Sequence, residues 1–148
     1  MRGRILINKK NLIHNLSEIK KYSPNSKIMS VIKSNAYGHG MIEVAKLLNK
    51  SDAFAVATIK EAQHLRNNQL NKEIVCLQGF TNSEEYIYCA ENNIRPVIHD
   101  FYQLDIIENT SIKNSINIWI KIDTGMNRLG FHSSNFQNVF NKCKNKKI

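Results

Sequence analysis

An apolar run closes on a lysine at Lys33, and the chain continues Ser34-Asn35-Ala36-Tyr37-Gly38-His39-Gly40. The run, Ile28 to Ile32, reads as a strand, and a helical period starts at Met41. A lysine at the end of a buried strand is costly to hold, because burial disfavours its charged form. A desolvated amine is a nucleophile able to form a Schiff base with an aldehyde such as pyridoxal phosphate. Gly38 and Gly40 let the backbone turn tightly and approach a ligand. Tyr37 offers a hydroxyl to a phosphate or carboxylate. On spacing alone the pattern also fits a solvated strand-end lysine followed by an ordinary glycine-rich loop.

The elements that must position this lysine repeat along the chain. Asn8 is a fitting N-cap for a helix running to about Tyr22, with Leu12, Leu16 and Ile19 as its buried stripe. Ile5 to Ile7 reads as a short strand before it, and Ser23-Pro24-Asn25-Ser26 as a turn. The strand Ile28 to Lys33 precedes a helix from Met41 to about Lys50. Strands follow at Ala53 to Ala57, Ile74 to Leu77, Ile94 to Ile98 and Ile116 to Ile122. Helices are expected over Ile59 to Asn67, Ser83 to Asn92 (capped by Ser83) and Asp100 to Asn109 (capped by Asp100). A last helix starts near Ser133 or Ser134.

Strands alternating with helices imply right-handed crossovers and a parallel α/β sheet. The spacing of roughly 20 to 25 residues per unit suits a (β/α)8 barrel of TIM type. With 148 residues the chain is short for a closed barrel of about 250, so an incomplete barrel of about five βα units is expected. No Gly-x-Gly-x-x-Gly follows the first strand, which argues against a dinucleotide-binding open sheet. Met29, Val31 and Lys33 share one face of their strand. Ile116, Ile118, Ile120 and Ile122 share a face of the fifth, and Asn117, Trp119, Lys121 and Asp123 the other. With the isoleucines under helices, Lys121 points to the barrel interior. Lys33 and Lys121 then stand at strand C-terminal ends, where barrel enzymes place their sites.

The sequence places three blocks in order: Lys33 to Gly40, then Phe54-Ala55-Val56-Ala57-Thr58 with Glu61-Ala62 and Leu65-Arg66, then Lys121-Ile122-Asp123-Thr124-Gly125-Met126-Asn127-Arg128-Leu129-Gly130-Phe131. Together they resemble the motifs of bacterial alanine racemases. The first is similar to the cofactor-lysine motif, with Ser34 where the family usually has Ala. The resemblance covers nearly the whole chain, which corresponds to about the first two-fifths of such an enzyme. It implies residues 1–148 as the N-terminal portion of a fold type III, pyridoxal 5'-phosphate-binding barrel domain, without the C-terminal β domain. The activity implied is isomerisation of L- and D-alanine, supplying D-alanine for peptidoglycan. By resemblance Lys33 is the Schiff-base lysine and the base on one substrate face. Tyr37 contacts the cofactor phosphate, Leu77 makes an apolar cofactor contact, and Arg128 lies near the cofactor phenolic oxygen and the substrate carboxylate. Lys121 matches a lysine carbamylated in some members; a plain interior lysine paired with Asp123 is the alternative. The family's opposite-face tyrosine comes from the partner subunit's C-terminal domain, so a homodimer is expected only with that domain present. A chain looking truncated in this way is expected to support cofactor attachment more readily than inversion.

The remaining residues narrow the alternatives. The net charge is +9, but the lysines are scattered over predicted helix faces without a nucleic-acid signature. Neither nucleic acid nor membrane is expected as a partner. Cys76, Cys89 and Cys143 show no metal spacing, and Cys76 and Cys89 read as core thiols in a reducing compartment. The basic N-terminus has too short an apolar run for a signal peptide, and the reading is cytoplasmic. His39, His99 and His132 form no metal spacing and read as structural, while Gly125 and Gly130 read as relief of backbone strain. The rivals are a racemase for serine or another amino acid, a non-catalytic cofactor-binding fragment, and a basic nucleic-acid module.

Overall fold

A computed structural model describes residues 6–144 and residue 146. The first residue of the strand expected at Ile5 to Ile7 lies outside them, and Leu6 and Ile7 are not in a strand. Five parallel strands form one sheet in the order β1-β2-β3-β4-β5. They are Met29–Val31 (β1), Ala53–Val56 (β2), Glu73–Cys76 (β3), Ile94–Ile98 (β4) and Trp119–Ile120 (β5). Each strand lies beside the one preceding it in sequence, as in the first part of a barrel, and the barrel is not closed. Between strands run helical segments: Lys33–Tyr37 (α2), Met41–Leu47 (α3), Ile59–Asn67 (α4), Ser83–Glu91 (α5) and Phe101–Asn109 (α6). Lys9–Tyr22 (α1) precedes the sheet, and Phe136–Lys144 (α7) follows a 3-10 turn at Ser133–Asn135.

Alternation along the strands divides the interior in two. Ile32, Phe54, Val56, Ile74, Cys76, Ile94 and Ile98 join the core beneath the helices. On the other face Ala55, Val75 and Val97 form a small apolar floor against which Leu77 packs. β2 is buried on both faces, as expected of a central parallel strand. At the margin of the sheet the same inner face opens to solvent: Met29 and Val31 are 40 % and 42 % exposed, and Trp119 is 50 % exposed.

The caps follow the sequence with one correction. Asn8 accepts from the Asn11 N–H at 3.1 Å and Asp100 accepts from that of Tyr102 at 3.1 Å, as expected. The α5 cap is Asn82, which accepts from the Glu85 N–H at 2.9 Å. Ser83 is the first helical residue, because the donor three residues on sets which side chain caps.

Two other expectations are revised. The stripe of α1 is buried only at Leu16; Leu12 is half-buried and Ile19 exposed. Ile13 and Leu16 instead line an open groove with Ile28 of the β1 approach and Leu47 of α3. The strand expected over Ile116 to Ile122 is a two-residue β5 followed by a two-residue β6, Ile122–Asp123. Lys121 between them donates its N–H to the Ile98 carbonyl at 2.9 Å. The isoleucines do face the helical core, with Ile116 buried and the other three packed against it. Ladder partners run out earlier than alternation does.

Candidate active site

The lysine stands where the β1 ladder ends. Ile32 donates its N–H to the Ala55 carbonyl at 2.9 Å, extending the pairing one residue beyond β1. Lys33 then opens α2, which is wound left-handed: Ser34, Asn35, Ala36 and Tyr37 have φ of 53°, 54°, 52° and 54°. A left-handed conformation costs an L-residue roughly 1–2 kcal/mol, and four non-glycine residues in succession survive only where the surroundings over-determine them. Hydrogen bonds on both sides of the turn restrain it. Ala36 N–H donates to the Ile32 carbonyl at 2.8 Å and Gly40 N–H to that of Asn35 at 3.0 Å. The Asn35 side-chain oxygen accepts from the Met41 N–H at 2.8 Å, capping α3. His39 Nδ1 contacts the Ala36 carbonyl at 2.8 Å, which gives that histidine the structural role expected. The Ser34 N–H donates to Glu61 Oε1 at 2.6 Å. Lys33 is partly buried, whereas Tyr37 at the end of the turn is 59 % exposed.

At the opposite edge of the sheet, Lys121 follows β5 and is partly buried. Beyond it Ile122–Asp123 pairs in parallel with β7, Phe131–His132. Parallel neighbours usually need a crossover of about a dozen residues or more. Here residues 124–130 make the connection, and Arg128 is exposed on it. Asp123 anchors that loop: its Oδ1 accepts from the Gly125 N–H at 2.9 Å and the Asn127 N–H at 3.1 Å. Gly130 has φ of +126°, and a Cβ there would meet the Asp123 nitrogen at 2.7 Å. Strain relief at Gly130 is therefore steric as well as conformational. At Gly125, φ +131°, a Cβ would meet nothing, so only the backbone angle calls for glycine. His132 Nδ1 lies 2.8 Å from Ser134 Oγ. A polar recess lined by His99, Asp100, Asp123, Asn127 and Arg128 joins this loop to the end of β4.

The Gly125 and Asn127 N–H groups hold the Asp123 carboxyl below the usual carboxylate range. A depressed folded-state value stabilises the loop fully above the unfolded value of about 3.9 and is lost as pH falls through the folded one. The Gly125 and Asn127 amide shifts should therefore titrate together in an NMR pH series, with a midpoint below 3.9 or so. Asp123→Asn should remove that titration.

Leu77 extends the inner floor of Ala55, Val75 and Val97 just after β3, its N–H donating to the Val56 carbonyl at 2.8 Å. An apolar inner floor on the sheet, a partly buried lysine after β1 and an exposed tyrosine four residues on are groups that suit an aromatic aldehyde bearing a phosphate. His99, which lines the polar recess, has a structural partner: its Nε2 lies 3.0 Å from the Gln78 carbonyl. Cys76 and Cys89 are buried as expected, and Cys143 on α7 is buried as well. Burial pushes the Cys76 thiol up to about 12 and raises that of Cys89, so neither supplies a thiolate near neutrality.

The alanine racemase N-terminal domain model matches residues 7–148. The chain belongs to the alanine racemase family. It is 43% identical over 143 residues to an alanine racemase of Coxiella burnetii, covering 97% of this chain and 39% of that protein. Among solved structures, the alanine racemase of Acinetobacter baumannii superposes with a TM-score of 0.86 at 32% identity, over 94% of this chain and 40% of that one. A histidine racemase of Leuconostoc mesenteroides superposes with a TM-score of 0.81 at 26% identity, over 93% and 38%. The chain thus spans about two-fifths of the length of the relatives it matches. The alanine racemase family uses pyridoxal phosphate, and the groups at the strand ends fit that cofactor.

The sequence points to Lys33, Tyr37, Leu77, Lys121 and Arg128 but not to the side chains that support them. Glu61 stood in a quoted motif without a role, although Thr58-x-x-Glu61 is a capping-box signature. The box is present: Thr58 Oγ1 accepts from the Glu61 N–H at 3.3 Å, and Glu61 Oε2 accepts from the Thr58 N–H at 3.2 Å. No helix among the described residues is long and apolar enough to cross a membrane.

Proposed function

We propose that this chain supplies the cofactor-lysine half of an alanine racemase site, acting on L- and D-alanine in the cytoplasm to furnish D-alanine for peptidoglycan. The observation that carries the reading is Lys33, partly buried where the β1 ladder ends, one residue after Ile32 bonds the Ala55 carbonyl, at the head of the restrained left-handed turn. Lys33 would hold pyridoxal phosphate through its Nζ, Tyr37 would meet the phosphate and Leu77 would meet the ring. The bound cofactor supplies an electron sink that makes the substrate Cα–H acidic. Once the substrate amine has displaced it from the cofactor, the freed Lys33 Nζ would take the Cα proton on one face and could return it to that carbon. The Arg128 guanidinium presents a fork suited to the substrate carboxylate. Lys121 shares that end of the sheet and, if carbamylated, would offer oxygens that accept from the arginine. Inversion needs a proton delivered to the opposite face, which in the family comes from a partner subunit's tyrosine, so full turnover belongs to a homodimer of family length.

Incubation with pyridoxal phosphate, borohydride reduction and peptide mass mapping test the reading. One stoichiometric adduct on Lys33, lost in Lys33→Ala, is expected. Absence of an adduct, or label spread over many lysines, refutes a formed site. The histidine racemase neighbour favours one second reading, racemisation of another amino acid. A panel of amino acids tested for α-proton exchange in deuterium oxide separates the two.

A further inference from the structure

We propose that Glu61 is a positioning residue for Lys33, holding the left-handed turn that carries the amine. This rests on the cofactor reading above and adds to it a side chain on a different βα unit. The Glu61 carboxylate is shared between two loops. Oε1 accepts from the Ser34 N–H at 2.6 Å, immediately after the lysine. Oε2 accepts from the Ala57 N–H at 2.7 Å and the Thr58 N–H at 3.2 Å, just beyond β2. The backbone of Glu61 is itself fixed by the Thr58 side chain in the capping box. One acceptor group therefore ties the end of β1 to the end of β2.

The chemistry needs a carboxylate. All three partners are donors, and both oxygens are used. A carboxylate is acceptor-only when ionised, whereas an amide has one acceptor end and one donor end. Ser34 is the first of four left-handed residues, so its amide direction decides where the turn begins. Without the tie, the strained turn loses the restraint next to Lys33, and the backbone that sets the direction of the amine is freed.

This makes Glu61→Gln a selective probe. Its side-chain oxygen is best spent on the Ala57 and Thr58 pair, keeping α4 capped, which turns the NH2 toward the Ser34 N–H. Donor then faces donor, and only the tie to the lysine turn is broken. Hydrogen exchange at the Ser34 amide should accelerate by about tenfold, the scale of one hydrogen bond to a charged group. Exchange at Ala57 and Thr58 should stay near the parent rate. The initial rate of borohydride-trapped pyridoxal phosphate on Lys33, per folded molecule, should fall several-fold. Asn82→Ala removes the distant α5 cap and serves as the stability control, expected to leave Lys33 trapping unchanged.

Unchanged Ser34 exchange overturns the proposal. So does Lys33 trapping in Glu61→Gln equal to the parent, or an equal loss in Asn82→Ala, which would show that general stability sets the rate. If the parent chain itself traps nothing on Lys33, the cofactor reading fails and the positioning role fails with it. Parent trapping with an indifferent Glu61→Gln refutes the positioning role alone.

Discussion

Gly79→Ala should cost about 3 to 5 kcal/mol and lower the melting temperature by about 10 °C. Gly79 sits after β3 with φ of +66°, and a Cβ there would lie 2.3 Å from the Val97 carbonyl oxygen and 2.4 Å from Gln103 Nε2. The first contact is backbone of a central strand and has no room to yield. The second is the tip of a side chain, but not a free one. Gln103 is wholly buried, and its Nε2 donates to the Gln78 and Phe80 carbonyls at 3.2 and 3.1 Å. Its Oε1 accepts from the His99 N–H at 2.8 Å. Pushing the amide aside leaves buried groups without partners, so steric and polar costs add. Gly38→Ala is the comparison, with φ of +84° and nothing within 4 Å. It should show only the conformational cost, about 1–2 kcal/mol. Thermal unfolding followed by circular dichroism reads both. Equal losses would mean that backbone angle, and not the close approach, dominates at Gly79.

Arg66→Met should cost about 3 kcal/mol, and Arg66→Lys should recover little of it. The guanidinium makes four hydrogen bonds, all to main-chain carbonyls. Nε donates to Asn92 at 2.9 Å, Nη1 to Leu70 and Lys72 at 2.6 and 2.9 Å, and Nη2 to Asn93 at 2.9 Å. One planar group thus binds the end of α4 to the segment entering β3 and to the turn entering β4. Met retains the aliphatic stem and removes every donor. Lys retains the charge, but an ammonium cannot reach carbonyls spread around a plane. Urea unfolding of the two variants checks the ranking. A lysine variant as stable as the parent would show that charge alone suffices.

Lys33 was legible from its place, a lysine ending an apolar run, whereas Arg128 was named only through the motif it resembles. The hands that hold them were less so. Ser34, Ala36 and Tyr37 carry no local preference for left-handed backbone. That winding comes from tertiary restraints, through Glu61 on another unit, and no local pattern encodes it. The Ile116 to Ile122 alternation correctly told which face meets the helices, but alternation persists in an extended chain whether or not a neighbour is there to pair. Ile19 reads as buried on helical period alone, yet α1 lies at the margin of the sheet with too few neighbours to cover it. Arg66 lies in a helix where a surface role is the ordinary expectation, and only the folded turns around it reveal the four acceptors.

Each strand from β1 to β5 lies beside the one made just before it, with paired residues such as Met29 and Ala53, or Val97 and Trp119, separated by roughly 20 to 25 positions in the chain. The sheet can therefore grow vectorially as the polypeptide leaves the ribosome, each new βα unit templated on an edge already in place. The turn bearing Lys33 emerges first but acquires its Glu61 tie only one unit later. A nascent chain halted before Glu61 would carry Lys33 and lack the hydrogen bond that restrains the Ser34 N–H.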